Sequence, residues 1–215
     1  MHINRLLLVV GTLALTTTCF AQGSTSATPH YVNGDQYVTI AHPERFSPKG
    51  KVEVVEVFSY GCIHCAHFAP YMAKLEASMP KGVAVHYVPA DFSPVWEPFA
   101  RAFYAAQELG VVKATHLAVF KAKFDYNYPL NSLQDYASFY ARHGVNPRTF
   151  LEDAHSARTD RELATNNQLI RRWGVMGTPT IIVNGKYRVA HVHTYTQLVA
   201  VTKWLVQREL KAQKH

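Results

Sequence analysis

The sequence predicts an α/β fold into which a block of helices is inserted. Three observations predict it: apolar runs of strand length lie on both sides of a helical segment, a stretch of about 80 residues then shows helical periodicity alone, and two strand patterns return before a last helix. The chain of 215 residues is long enough for one sizeable core. The predicted order is therefore β-β-α-β, a helical block and β-β-α.

The first part of this order is a short strand followed by a β-α-β unit. Residues 37–40 have a strand pattern, and Val52–Phe58 is typical of a buried strand. Amphipathic spacing predicts a helix over Phe68–Met79, and residues 83–88 form a further apolar run of strand length.

The second part consists of helices and then a hairpin. Residues 95–173 show apolar side chains at helical spacing, interrupted by glycine, asparagine and proline. Two strands, Thr180–Val183 and Tyr187–Val189, flank the dipeptide Asn184-Gly185, which is a strong signal for a two-residue hairpin. A last helix is predicted over about residues 196–210.

The N-terminus has the pattern of a cleaved secretory signal. Arg5 precedes the apolar stretch Leu6–Leu15, and Cys19-Phe20-Ala21 supplies small residues where a signal peptidase cuts. The apolar core of about ten residues is well short of the roughly 20 that a spanning helix needs, which disfavours an uncleaved anchor. We therefore expect residues 1–21 to be removed near Ala21 after export.

The charge of the chain does not indicate nucleic-acid binding. The formal net charge is +7 at pH 7, but the lysines and arginines are scattered along the sequence. Nucleic-acid binding requires clustered basic charge or a recognisable motif. Solubility in an exported compartment explains the basic balance, and no nucleic-acid partner is expected.

The candidate active site is Cys62-Ile63-His64-Cys65, where the buried strand gives way to a helix. With Cys19 in the signal segment, Cys62 and Cys65 are the only thiols of the mature chain, and such a pair in an exported protein can form a disulfide. The bridge would close a loop too short to stabilise much by chain entropy. A redox role is therefore favoured over a structural one.

The spacing of the two cysteines also suggests their roles. Positions i and i+3 on a first helical turn bring two sulfurs within bonding reach, and the free N–H groups of a helix start favour a thiolate. Cys62 at the exposed end is the expected nucleophile, and Cys65 is the resolving thiol. His64 either stabilises the thiolate as an electrostatic partner or is a solvated helix residue.

Two other uses of a cysteine pair are less well supported. Covalent haem attachment requires Cys-x-x-Cys-His, but Ala66 follows Cys65. Zinc binding would add His191 and His193, which alternate onto one face of a predicted strand, but nothing brings them to the cysteines. We expect both histidines at the surface or at the rim of a cleft, and no metal or other cofactor besides the redox-active disulfide.

Taken together, these motifs resemble the DsbA family of periplasmic thiol oxidases, which has a thioredoxin fold with an inserted helical domain. The resemblance covers essentially the whole mature chain and rests on four segments: Glu56–Cys65, a helical insertion of about 75–80 residues, Gly174–Thr180 and the signal peptide. It implies a thioredoxin-like domain over residues 22–94 and 174–215 and an inserted helical domain over residues 95–173.

The resemblance also implies an activity. The enzyme would reside in the periplasm and donate its Cys62–Cys65 disulfide to reduced, newly exported proteins. The chain has no flavin or quinone motif, so reoxidation must come from outside, and the resemblance implies a quinone-linked membrane protein of the DsbB type as the partner. A disulfide isomerase or reductase of the same fold is the alternative, but isomerases usually carry a dimerisation domain for which residues 22–50 are too few. A monomer is expected, and Ile63, where the family most often has proline, leaves the oxidising strength open.

Three further site residues follow from the resemblance. Glu56 shares a strand face with apolar neighbours, and the acidic residue of the family at this place implies a proton carrier beneath Cys65. The alternative is a glutamate at a solvated sheet edge. Thr178-Pro179 matches a cis peptide bond that packs against the disulfide and exposes the backbone of Thr178 to an extended substrate segment, and the alternative is an ordinary trans proline.

Overall fold

The computed structural model describes residues 30–48 and 50–213, so the predicted signal segment lies outside the described residues. A mixed five-stranded sheet forms the centre, in the order β1-β5-β4-β2-β3. The strands are β1 (Tyr37–Thr39), β2 (Val52–Phe58), β3 (Val83–Pro89), β4 (Thr180–Val183) and β5 (Tyr187–Val189). β2 and β3 are parallel, and the other neighbouring pairs are antiparallel.

Helices separate and follow these strands in the predicted order. They are α1 (Ile63–Ala77), α2 (Glu97–Glu108), α3 (Val112–Phe120), α4 (Leu133–Ala141), α5 (Pro147–Ala154), α6 (Ala157–Arg172) and α7 (Tyr195–Ala212), with a π-helical turn at Lys121–Asp125. The order confirms the predicted α/β class with a helical insertion between β3 and β4. Among the described residues, no helix is long and apolar enough to cross a membrane.

The helix α1 begins five residues before the predicted start. Its N-cap is Cys62, whose sulfur accepts a hydrogen bond from the backbone N–H of Cys65. Ser, Thr, Asn and Asp are the residues that usually signal a cap, so the periodicity of the sequence marks only the part of the helix from Phe68 onward. Pro70 lies inside the helix. The first turn of α1 therefore presents both cysteines at its free N–H groups.

The strand β2 is the most buried element, because it lies inside the sheet and both of its faces are covered. All seven of its residues are buried. Val54 and Phe58 pack on the side of α1, and Val55 and Val57 pack in the cluster that contains residues of α6. The carboxyl end of β2 leads directly into the loop before α1, so a rigid strand sets the position of the cysteine pair.

Glu53 is one of two glutamates buried in β2, and its charge is fully accommodated. Its carboxylate accepts hydrogen bonds from the backbone N–H groups of Phe46 and Ser47, at 2.7 and 3.0 Å, and from the hydroxyl of Ser47 at 2.6 Å. Arg45 lies 3.4 Å away. A buried carboxylate with these partners ties the segment before β2 to the sheet.

The hairpin between β4 and β5 turns at Asn184-Gly185, as predicted. Both residues have positive φ, 55° and 64°, which is the requirement of a type I′ turn. A Cβ atom added at Gly185 would overlap the backbone carbonyl of Glu44. Glycine is therefore required at position 185 for two reasons: the turn needs a positive φ, and the backbone of Glu44 leaves no room for a Cβ atom.

We predict that Gly185→Ala lowers the free energy of unfolding by about 3 kcal/mol or more, because left-handed strain and the overlap with Glu44 add. Gly110→Ala is the matched control: its φ is 69°, but nothing lies within 4 Å of the added Cβ. It should cost only about 1–2 kcal/mol. Urea unfolding followed by circular dichroism measures both, and equal losses would contradict the proposed contact.

Candidate active site

The two cysteines lie at the N-terminus of α1 and differ in exposure. Cys62 is 8 % exposed and Cys65 is fully buried. The sulfur of Cys62 accepts a hydrogen bond from the backbone N–H of Cys65 at 3.3 Å. The first turn of α1 contains no acidic residue, so no side-chain charge there offsets the positive end of the helix dipole.

These contacts lower the pKa of Cys62 to about 5. A hydrogen bond from the thiol of Cys65 is the largest cause, burial opposes it, and the side chain of Thr178 and the backbone N–H groups of Cys65 and His64 lower the pKa further. Cys62 is therefore a thiolate at neutral pH when the pair is reduced.

Cys65 has the opposite character, because its pKa is raised far above the ordinary range. Burial is the largest cause, followed by the hydrogen bond to Cys62 and the charge of Glu56. The reduced pair thus consists of an accessible thiolate and a buried thiol. Attack by an external sulfur is favoured at Cys62, and Cys65 exchanges its proton only with help from a neighbour.

The residue pair Thr178-Pro179 lies against Cys62 and has the predicted cis peptide bond. In its thiol form, Cys62 donates a hydrogen bond to the backbone carbonyl of Thr178 at 3.4 Å. The hydroxyl of Thr178 is buried and has no hydrogen-bond partner in the described part of the chain. It is therefore free to donate to the thiolate, in agreement with its effect on the pKa of Cys62.

Glu56 is the second buried glutamate of β2, and it is 1 % exposed. Its position in a central strand rules out the solvated sheet edge. Burial, which is the largest cause, and the charges of Cys62 and Glu76 together raise its pKa to about 8. One carboxyl oxygen, Oε2, has no hydrogen-bond partner among the described residues, in contrast to the carboxylate of Glu53. At neutral pH Glu56 therefore carries a proton in most molecules.

His64 is exposed and lines a groove of about 520 Å³ beside the cysteine pair. The groove also contains Thr178, Pro179, His193 and Tyr195. The hydroxyl of Tyr195 donates to the backbone carbonyl of His64 at 3.1 Å. The backbone N–H of His64, rather than its imidazole, is among the causes of the lowered pKa of Cys62. The electrostatic role of the imidazole stays a prediction.

The predicted strand position of His191 and His193 is wrong. β5 ends at Val189, and His191 has a φ of 47°, which turns the chain away from the sheet toward α7. His193 lies at the rim of the groove, as expected, whereas His191 is placed near the backbone carbonyl of Asp35, at 2.9 Å. Within residues 30–48 and 50–213, no three His, Cys, Asp or Glu side chains are grouped so as to hold a metal ion.

Sequence reasoning missed two residues that shape the site. Ser59 accepts the backbone N–H of Cys62 at its carbonyl, at 3.0 Å, and the N–H of Gly61 at its hydroxyl, at 3.1 Å. Tyr195 supports the backbone of His64 from the start of α7. The sequence signal for Ser59 is its place between strand and helix, where a short polar residue commonly fixes a turn. Tyr195 has no comparable local signal.

Comparison with known proteins agrees with this geometry. Residues 53–200 match the model of the DSBA-like thioredoxin domain. The chain belongs to the DsbA family. The thiol:disulfide interchange protein DsbA of Pseudomonas aeruginosa strain PAO1 is 30 % identical over 194 residues, which cover 89 % of this chain and 92 % of the relative. DsbA of Pseudomonas syringae pv. tomato is 33 % identical over 84 % of each chain.

Solved DsbA structures have the same fold. The oxidoreductase DsbA from Xylella fastidiosa superposes with a TM-score of 0.81 at 38 % sequence identity, covering 84 % of this chain and 98 % of that one. The predicted thioredoxin fold with a helical insertion is thereby confirmed, and the chain is a thiol:disulfide oxidoreductase of the DsbA family.

The acidity of the first cysteine of this DsbA can be measured directly. We predict that the alkylation rate of Cys62 by iodoacetamide rises with a midpoint near pH 5, because the hydrogen bonds from Cys65, Thr178 and the backbone stabilise the thiolate. Cys65→Ala removes the largest of these and should raise the midpoint more than Thr178→Val does. A midpoint near the ordinary value of about 8.5 in the unaltered protein would contradict this account.

Proposed function

We propose that this chain is a periplasmic dithiol oxidase that donates its Cys62–Cys65 disulfide to reduced, exported proteins. The observation that carries the proposal is the unequal acidity of the two sulfurs, with the pKa of Cys62 lowered to about 5 and that of Cys65 raised. A sulfur of low pKa is a good leaving group, so a mixed disulfide on Cys62 is readily converted into a substrate disulfide. The sequence pattern of residues 1–21 supports export.

In the first step, a substrate thiolate attacks the sulfur of Cys62 in the oxidised enzyme. A bond forms between that sulfur and the substrate, the Cys62–Cys65 bond breaks, and the electron pair goes to Cys65. Because the pKa of Cys65 is strongly raised, its sulfur must be protonated as it leaves. Glu56, with a pKa of about 8, holds a proton at neutral pH and supplies it.

In the second step, another substrate thiolate attacks the substrate sulfur of the mixed disulfide. The substrate leaves oxidised, and Cys62 departs as a thiolate stabilised by Cys65 and the start of α1. Once Glu56 has taken up a proton released by the substrate, the enzyme has gained two electrons and one proton. The substrate dithiol has lost two electrons and two protons, and the second proton goes to the solvent.

Thr178 and Pro179 position the substrate. The carbonyl of Thr178 lies 3.4 Å from the sulfur of Cys62, so an extended segment that is joined to Cys62 would run along this backbone. Main-chain pairing does not depend on the side chains of the substrate, which fits an enzyme for many proteins. The imidazole of His64, on the wall of the same groove, would stabilise the thiolate or contact the substrate.

The remaining features follow from the need to regenerate the disulfide. We assign residues 22–94 and 174–215 to the thioredoxin-like domain, because β2, α1 and the Thr178 segment all belong to it, and residues 95–173 to the inserted helical domain. The reduced pair must pass two electrons to an acceptor, for which we propose a quinone-linked membrane partner of the DsbB type. One chain supplies every site residue, which fits a monomer.

We predict that Cys62→Ser abolishes oxidation of dithiol peptides, whereas Cys65→Ser accumulates as a mixed disulfide between Cys62 and glutathione. The initial sulfur bond needs only Cys62, and its resolution inside the enzyme needs Cys65. Non-reducing gels after incubation with oxidised glutathione distinguish the variants. Trapping by Cys62→Ser and none by Cys65→Ser would show that the two roles are reversed.

A further inference from the structure

We propose that Tyr87 and Glu76 form the route by which Glu56 exchanges its proton with the solvent while a substrate covers the cysteine pair. The inference rests on the proposed role of Glu56 as the proton carrier for Cys65. Tyr87 and Glu76 act through Glu56, so they are positioning residues for the reaction.

The register of the sheet brings the first two groups together. Glu56 in β2 and Tyr87 in β3 are direct partners in the parallel pair, so their side chains extend from the same face of adjacent strands, about 4.8 Å apart. Glu56 is almost fully buried and its Oε2 has no partner in the described chain. The pKa of Tyr87 is raised mainly by burial, then by its hydrogen bond to Glu76, and the charge of Glu56 adds to this shift.

Tyr87 connects this buried carboxyl to an exposed one. It is half-buried, and its hydroxyl donates a hydrogen bond of 2.7 Å to Oε2 of Glu76 on α1, an exposed residue. A phenol can accept a proton on its oxygen while it donates its own, so this arrangement passes a proton without charging the ring permanently. The sequence of groups from the interior to the solvent is therefore Glu56, Tyr87 and Glu76.

A cavity at the outer end of this route can hold water. It has a volume of about 630 Å³, lies between α1, β3 and α3, and includes Glu76, Tyr87 and His116 in its lining. Small side chains of α1 make room for it: Ala69, Ala73 and Ala77. Water there would bridge any remaining distance between the polar groups, since the site is both polar and roomy.

The route lies on the far side of α1 from the groove beside the cysteines. His64 and Tyr71 of α1 line that groove, whereas Glu76 lines the cavity at a position more than a quarter turn away. A substrate held along Thr178 covers the groove but leaves the cavity open. Proton exchange through Tyr87 can therefore continue in the mixed disulfide, when the direct path past Cys62 is blocked.

The other titratable groups around Tyr87 do not provide an equivalent path for the proton of Glu56. They are Tyr60, Lys113 and His116. His116 is placed 3.0 Å from the hydroxyl of Tyr60, and burial lowers the pKa of His116 to about 3, so it stays neutral at physiological pH. Lys113 on α3 lines the cavity that also contains Tyr87 and Glu76.

The reaction step whose rate depends on the route is the resolution of a mixed disulfide by Cys65. The thiol of Cys65 gives its proton to the Glu56 carboxylate, the new thiolate attacks the sulfur of Cys62, and the bond from Cys62 to glutathione breaks with release of glutathione thiolate. Glu56, which is protonated at neutral pH, must lose its proton to the solvent before the step and regains one from Cys65 during it. The net products are the Cys62–Cys65 disulfide, glutathione thiolate and one proton.

The test is the rate of this resolution when the reduced full-length mature protein reacts with oxidised glutathione in a stopped-flow instrument, with a pH indicator reporting proton release. Tyr87→Phe keeps the ring that packs against Phe58 and His116 and removes only the hydroxyl. We expect it to slow resolution and proton release about 3- to 10-fold, a fraction of the effect of a lost acid–base group. Imidazole in the buffer should restore the rate, and the equilibrium with glutathione should not change.

Glu76→Gln is the second variant and should slow proton release in the same direction. The exposed residues Tyr126 and Glu152 provide the matched controls Tyr126→Phe and Glu152→Gln, which should behave like the unaltered protein. The double variant Glu56→Gln/Tyr87→Phe should be no slower than Glu56→Gln alone, because both changes interrupt one route.

The outcomes separate this inference from the function on which it rests. If Glu56→Gln slows resolution but Tyr87→Phe does not, the proton leaves by another path and the route is wrong. If Glu56→Gln resolves at the normal rate, the proposed role of Glu56 fails as well. Slow resolution by Tyr87→Phe that imidazole does not restore would show a structural effect and would also overturn the route.

Discussion

The hydrogen bond from the thiol of Cys65 to the sulfur of Cys62 is the interaction on which the site depends. It is the largest cause of the lowered pKa of Cys62, and the same contact raises the pKa of Cys65. This bond and the deeper burial of Cys65, which is the largest cause of its raised pKa, make the two sulfurs unequal, although they lie three residues apart on one helix. The bond exists only while the disulfide is open, so it stabilises the reduced form and makes the oxidised form a good donor.

The rest of the fold holds the two cysteines in position, although their burial disfavours a charged sulfur. β2 is buried on both faces and fixes the loop before α1, while the cis bond before β4 places Thr178 against Cys62. The two glutamates of β2 show what the fold tolerates. Glu53 is surrounded by donors, whereas Oε2 of Glu56 has no partner among residues 30–48 and 50–213, an arrangement that costs about 1–3 kcal/mol and is expected at sites of function.

Much of this could be predicted from the sequence, because strand, helix and hairpin patterns are local. Alternation along β2 placed Glu56 on the core side, and the Asn184-Gly185 turn was found where expected. Helical periodicity marked α1 only from Phe68, whereas the cysteine motif placed the helix start at Cys62, where the structure has it. His191 was assigned to a strand, but β5 ends at Val189. No local sequence signal predicts the left-handed conformation of His191.

Other properties depend on contacts between distant parts of the chain. The partnership of Glu56 with Tyr87 requires the register of β2 and β3, which hydrophobic patterns do not specify to the residue. The sequence suggested the N–H groups of the helix start and the imidazole of His64 as partners of the thiolate. The backbone N–H groups of Cys65 and His64 do lower the pKa of Cys62, but the largest cause, the thiol of Cys65, was not expected in this role.

The unequal acidity of Cys62 and Cys65 can be tested most directly by comparing the melting temperatures of the reduced and oxidised protein as a function of pH. The pKa of Cys62 is lowered in the folded state, so its stabilisation is complete above the unfolded pKa and is lost as the pH falls through about 5. At pH 7 it amounts to at most about 3 kcal/mol, reduced by solvent screening, against about 2 kcal/mol from closing the short disulfide loop. The account predicts that the reduced form melts a few degrees higher at pH 7 and that the order reverses below pH 5. An oxidised form that melts higher at pH 7, or a difference that does not change with pH, would contradict it.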